Sequence, residues 1–239
     1  FQFTAIAAFS STAIRMTLWP RISHWSKTNE IRLVEESLSR AISYSLILAI
    51  PVFVGGVLLG DRLLGSFYGE DFARGYHTLI ILLAVQIVNV FQYFFTMYLD
   101  ALDHPQESFK VTAIGVGANI LLNILLIPLF GINGAAIATL ATMTLNALLA
   151  WRVLSRYITV RLEHQNLSNI MISSIVMGVL VGGYRFFIPL SNIWVTILAV
   201  VFGGMTYGLL ILKFDKKVYT EMRDIVEKIG IGFVWPGWL

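Results

Sequence analysis

The chain has 239 residues, of which 57% are hydrophobic and 13% charged, with a formal net charge of +3 and a mean hydropathy of +0.76. A soluble domain carries about 25% charged residues, so this composition belongs to a membrane protein. There is no cysteine, which excludes disulfides, thiolate nucleophiles and Cys-ligated metals. His24, His77, His104 and His164 stand far apart near segment ends and do not suggest a zinc site.

Seven apolar stretches organise the chain. A run of about 20 apolar residues crosses the ~30 Å hydrocarbon core as a helix. Helices also satisfy their own backbone groups where no water is present. The first stretch, Phe1–Trp19, is the most polar and carries Arg15. It opens without a charged leader or a small-residue cleavage site, so it is not a signal peptide. The expectation is a fragment whose upstream part is missing. Ile31–Ala41 follows, with Ile31, Val34, Leu38 and Ala41 at helical spacing among Arg32, Glu35, Glu36 and Arg40. It reads either as an interfacial helix or as an extension of the next span. The second stretch is Tyr44–Leu59, where Pro51 predicts a kink.

The third, Leu79–Leu99, carries Gln86, Asn89, Gln92 and Tyr93. Asp100 and Asp103 close it in what reads as a solvated turn before Pro105. The fourth, Val111–Phe130, carries Asn119 and Asn123, four residues apart on one helix face. A turn at Pro128–Gly134 forces the fifth, Ile132–Leu149, into an antiparallel hairpin with the fourth, and this fifth stretch holds Thr142 and Asn146. The sixth and seventh are Ile170–Val181 and Ile193–Leu212. In the tail, Val218, Met222, Ile225, Val226 and Ile229 recur at helical spacing, as in a helix lying on the membrane surface. GxxxG spacing at Gly56–Gly60, Gly178–Gly182 and Gly204–Gly208, with Gly134 and Ala135, marks faces for close helix packing.

Charge in the loops sets an expected orientation. Arg21, Lys27, Arg32 and Arg40 fall on one side, with Lys110, the trio Arg152, Arg156 and Arg161, and the tail's Lys213, Lys216, Lys217, Arg223 and Lys228. Only Arg62, Arg74 and Arg185 fall on the other. The positive-inside rule places the richer side, and the C-terminus, in the cytoplasm. The same distribution reads as a topology signal rather than a nucleic-acid footprint, so no nucleic-acid partner is expected.

The candidate functional residues are the polar groups inside the spans. Arg15 is one turn from Trp19, so its guanidinium either snorkels to the interface or faces an aqueous cavity, where its fork suits phosphate. The amides Gln86, Asn89, Asn119 and Asn123 suit sugar hydroxyls, and serve equally as interhelical glue worth about 1 kcal/mol each. No Walker loop, HExxH or Ser/His/Asp grouping is present, and no large extramembrane domain exists to house catalysis. An enzyme is therefore not expected, and no cofactor or metal is called for.

Several strings resemble a known family. They are Leu18-Trp19-Pro20-Arg21-Ile22-Ser23, Pro51-Val-Phe-Val-Gly-Gly56, Leu63-Leu64-Gly65-Ser66-Phe67-Tyr68-Gly69-Glu70, Asn119-Ile-Leu-Leu-Asn123, and Ile127-Pro128-Leu-Phe-Gly131-Ile-Asn-Gly134-Ala-Ala-Ile-Ala-Thr139. Together they resemble the polysaccharide-export flippases, the Wzx-like branch of the multidrug/oligosaccharidyl-lipid/polysaccharide exporter superfamily. The resemblance runs from Phe1 to about Leu162 and reaches the last two spans by hydropathy only. It implies an all-α polytopic membrane protein, with about seven transmembrane helices forming most of the second lobe of a two-lobed transporter. Residues 1–155 would be five spans of that lobe, 156–213 two additional spans, and 214–239 a cytoplasmic amphipathic tail. It further implies flipping of a polyprenyl-diphosphate-linked oligosaccharide across the plasma (inner) membrane by alternating access. Arg15 would then meet the diphosphate, and the missing N-terminal lobe would be the partner. A drug/cation antiporter or peptidoglycan-precursor flippase of the same superfamily, or a membrane glycosyltransferase, are the competing readings.

Overall fold

The computed structural model describes Ile14, residues 18–188, residues 192–220 and Arg223. Every regular element among them is a helix. Helical residues 18–27 form α1, followed by α2 (Ile31–Tyr68), α3 (Glu70–Ala73), α4 (Tyr76–Ala101), α5 (Pro105–Phe130), α6 (Ile132–Leu154), α7 (His164–Phe187) and α8 (Ile193–Phe214). Six of these, α2 and α4 to α8, are long and apolar enough to cross a membrane. They coincide with the second to seventh apolar stretches. Most of the first stretch, Arg15 included, lies outside the described residues.

The chain divides into two compact units, residues 1–163 and 164–239. In the first, α2 is a single helix of 38 residues, about 57 Å at 1.5 Å per residue. The polar stretch Ile31–Ala41 is thus an extension of the span. Val34, Leu38, Ile42 and Leu46 form one apolar stripe at helical spacing, and all four are buried. The helix passes through Pro51 without interruption. Gly69, at φ 98°, stops it in a conformation that glycine adopts without steric cost. Lys110, placed in a linker by the sequence reading, lies inside α5, because Pro105 at the first helical position starts that helix early.

Strand-free packing fixes the helix directions. The Ser37 hydroxyl and the Tyr98 hydroxyl are 2.8 Å apart at one end of the α2/α4 pair. At the other end the Tyr76 hydroxyl donates to the Val57 carbonyl at 2.5 Å, so α2 and α4 are antiparallel. Gly56 and Gly60 seat Leu83 and Leu79 of α4, the close approach expected of GxxxG. Thr78 donates to Asn133 at 2.5 Å, joining the starts of α4 and α6. His104 stacks on Tyr157 with ring centroids 3.8 Å apart, joining the segments just past their ends. The two helices are therefore parallel and in near register, with α5 antiparallel to both. Ile22, Val34, Leu38, Phe94, Tyr98, Leu99 and Leu154 are almost wholly buried. The Glu35 carboxylate accepts the Thr159 N–H at 2.6 Å and closes the end that carries His104 and Tyr157.

The second unit is the α7/α8 hairpin. Thr196, Ala199, Gly203, Tyr207 and Ile211 make one buried stripe on α8. Gly203 lies against Val181 and Met177 of α7, and the Asn169 amide donates to the Phe214 carbonyl at 3.1 Å. Gly204 and Gly208 face open space, so this GxxxG pair is not a packing face among the described residues.

Candidate functional site

The α5/α6 hairpin places most of the polar groups. Gly131, at φ 57°, turns the chain and donates its N–H to the Ile127 carbonyl at 2.8 Å. Such a turn leaves two helices side by side, and two further features draw them close. Gly134 lies directly on the Leu126 carbonyl, and Gly115 lies against the Asn146 side chain. Neither position has room for a Cβ.

In that tight seam the amides form a chain. Asn123 donates Nδ2 to the Asn119 Oδ1 at 2.8 Å, and Asn119 donates its own Nδ2 to the Thr142 hydroxyl at 3.1 Å. The Thr142 proton goes to the Ala138 carbonyl at 2.8 Å, with the Thr139 carbonyl at 3.0 Å. One N–H of each amide and the Thr142 hydroxyl thus find acceptors, and successive bonds in a low-dielectric medium polarise one another. Thr142 is buried, whereas Asn119 and Asn123 are half-buried. Asn146, one turn along α6, is buried and its Oδ1 has no hydrogen-bond partner. The sequence spacing exposed both the Asn119/Asn123 and the Thr142/Asn146 pairs. It held no signal that Thr142 would receive the chain while Asn146 would be left out of it.

Gln86 and Asn89 are brought to the same level on α4. The pairing of Thr78 with Asn133 sets residue n of α4 level with residue n+55 of α6. Gln86 and Asn89 therefore bracket Thr142 in height. Both are half-buried, and among the described residues neither side chain has a hydrogen-bond partner. Four of the five residues picked from the sequence thus occupy one layer of the first unit, but in two states. Asn119 and Asn123 are engaged across the helix seam, and Gln86 and Asn89 retain unused donors and acceptors. Arg15 falls outside the described residues.

Among the described residues the layer carries no Asp, Glu, His, Lys or Arg. On α4, α5 and α6 the acidic, basic and histidine side chains sit towards the ends: His77 and Asp100, Glu107 and Lys110, Arg152. Among the described residues no group of His, Cys, Asp and Glu is arranged to hold a metal ion. Neutral amides and hydroxyls at mid-height can exchange hydrogen bonds with hydroxyl-rich molecules.

Helices long and apolar enough to cross a membrane, bundled around a polar layer at mid-height, define a polytopic helical membrane protein. The model of the family described as lipid II flippase MurJ matches residues 4–207, and the chain belongs to that family. The family is one of flippases rather than enzymes. The resemblance to a flippase of the exporter superfamily therefore holds. Over 97% of its length the chain is 28% identical to the probable low-salt glycan biosynthesis flippase Agl15 of Haloferax volcanii. Over 96% it is 30% identical to the probable flippase AglR of the same organism. Each alignment covers 49% of the relative, so the chain spans about half the length of the curated relatives it matches. The solved structure of a lipid II flippase MurJ in an inward closed conformation superposes with a TM-score of 0.72 at 17% identity, covering 91% of this chain and 45% of that one. That likeness confirms the fold.

Proposed function

We propose that this chain is part of a flippase that carries a polyprenyl-diphosphate-linked oligosaccharide across the cytoplasmic membrane by alternating access. The observation that carries the reading is the family match over residues 4–207, joined to relatives named for glycan biosynthesis and flipping. The neutral layer supports it. Sugar hydroxyls need donors and acceptors of moderate strength that release as readily as they bind, and Gln86 and Asn89 offer both. Asn119 and Asn123 hold the seam and present their remaining hydrogen-bonding capacity beside it. Arg15 is the group proposed to meet the diphosphate, since a guanidinium fork pairs with phosphate oxygens. The positive-inside bias supports a cytoplasmic C-terminus. Because the chain spans about half of each relative, the transport cycle is proposed for it together with helices of the kind those longer relatives possess.

The test is complementation of a strain lacking its lipid-linked oligosaccharide flippase, with the chain expressed in its native full-length context. Export of surface glycan is scored alongside membrane abundance. Restored export that is lost in Gln86→Ala/Asn89→Ala at normal abundance supports the reading. Export unchanged by that double substitution removes the α4 amides from the substrate path.

A further inference from the structure

The end of the second unit carries a feature unrelated to the polar layer. The membrane-spanning helix α8 stops at Phe214, and Asp215 breaks it with an extended backbone (φ −114°, ψ 96°). The Asp215 carboxylate then accepts the N–H groups of Lys217 at 3.1 Å and Val218 at 3.2 Å, which caps a new helical segment over residues 216–220. Asp215 is only 3% exposed, so its charge is turned inward on backbone donors. Around it Lys213, Phe214, Lys216, Lys217 and Thr220 are exposed, and Val218 and Tyr219 are half-buried. Three cations thus stand within five residues at the end of a membrane span, and the one acid among them is occupied by the cap.

We propose that the corner formed by Lys213, Phe214, Lys216 and Lys217 is a docking surface for the headgroups of anionic phospholipids. The position selects the partner. Phe214 presents 45% of its surface beside the lysines, and it does so where the helix leaves the hydrocarbon. A bilayer edge offers an apolar layer and an anionic layer a few ångströms apart, which matches an exposed ring flanked by ammonium groups. The end of a membrane-length helix brings the ring and the lysines to such an edge together. Asp215 is then a positioning residue: it turns the chain at headgroup depth, so that Lys216 and Lys217 run along the surface rather than away from it.

The absence of cysteine allows a clean test. A single cysteine is introduced as Thr220→Cys, an exposed position, and labelled with bimane. The full chain is placed in nanodiscs of phosphatidylcholine, or of phosphatidylcholine with phosphatidylglycerol, and quenching by neutral acrylamide is measured. Shielding that appears on adding phosphatidylglycerol is expected. Each lysine near an anionic surface contributes about fivefold to attachment, so Lys213→Gln/Lys216→Gln lowers the ratio of attached to free corner by about 25-fold. Both side chains are exposed and leave the α7/α8 packing untouched. Raising NaCl from about 0.1 M to about 1 M shortens the screening length from about 10 Å to about 3 Å, and releases the unsubstituted corner without any mutation. Equal quenching in the two lipid mixtures overturns the proposal, as does shielding that survives both high salt and the double substitution; the latter assigns the corner to contact with protein.

Discussion

Replacing Gly134 by alanine adds one methyl group where the structure has none to spare. An ideal Cβ there falls on the carbonyl of Leu126, with the amide nitrogen of Ile127 at 3.0 Å. These are backbone atoms of α5, and they cannot swing aside as a side-chain tip can. The first turn of α6 must therefore lift off α5, and overpacking of this kind costs about 1–3 kcal/mol. The seam also carries the Asn119–Thr142 bond at 3.1 Å, so a lift of even half an ångström weakens a second interaction. The internal control is Gly204→Ala. Gly204 has nothing within 4 Å, and glycine is about 0.8–1 kcal/mol less favourable than alanine inside a helix. That substitution should be neutral or slightly stabilising. The assay is thermal unfolding of the purified chain in detergent, followed by size-exclusion recovery after heating. At about 2–4 °C per kcal/mol, Gly134→Ala should lower the midpoint by several degrees. A midpoint equal to that of the unsubstituted chain, or a larger drop in Gly204→Ala, refutes the close seam.

Five further outcomes follow from the structure and the sequence. Asn119→Ala removes an interhelical hydrogen bond and orphans Asn123, and should cost about 0.6–1.7 kcal/mol in the same assay; Gln86→Ala should leave stability within about 0.5 kcal/mol while lowering flipping. Ser37→Ala leaves the buried Tyr98 hydroxyl without its 2.8 Å partner, and should destabilise by about 1–3 kcal/mol, with Ser37→Thr recovering part of the loss. For Arg15, Ala should abolish export at normal membrane abundance and Lys should retain part of it, since a point charge still holds phosphate without the fork; full export by Arg15→Ala in the complementation strain removes it from the site. Cysteines at Ser26 and Asn166 should resist an impermeant thiol reagent in intact cells, while one at Ser66 reacts; the reverse pattern inverts the orientation.

Hydropathy and loop lengths made the spans legible because both act locally. The hairpin between the fourth and fifth stretches could be read from Pro128 to Gly134, and its tightness from the small residues of α6. Partner choice was not legible. Gly56–Gly60 and Gly204–Gly208 have the same spacing, yet one pair seats α4 and the other faces open space. Spacing records that close approach is permitted, not which helix accepts it. The amides divide in the same way. Asn119 and Gln86 are both amides set in apolar spans, and only the register of α5 on α6 decides that Asn119 has Thr142 within reach. Ile31–Ala41 was ambiguous for a related reason: an apolar stripe suits a lipid surface and a protein core alike, and the burial of Val34 and Leu38 decided for the core.

The length of α2 has a mechanical consequence. A helix of 38 residues is a stiff rod that outreaches the hydrocarbon core, and it is pinned near one end by Glu35 and Ser37 and further along by Tyr76. Pivoting such a rod by 10° about its centre would carry each tip roughly 5 Å, from its 1.5 Å rise per residue. Fastened at both levels to α4 and to the segment after α6, it cannot pivot without taking them along. A displacement of α2 at one membrane face is therefore shared with α4 and with the segment after α6.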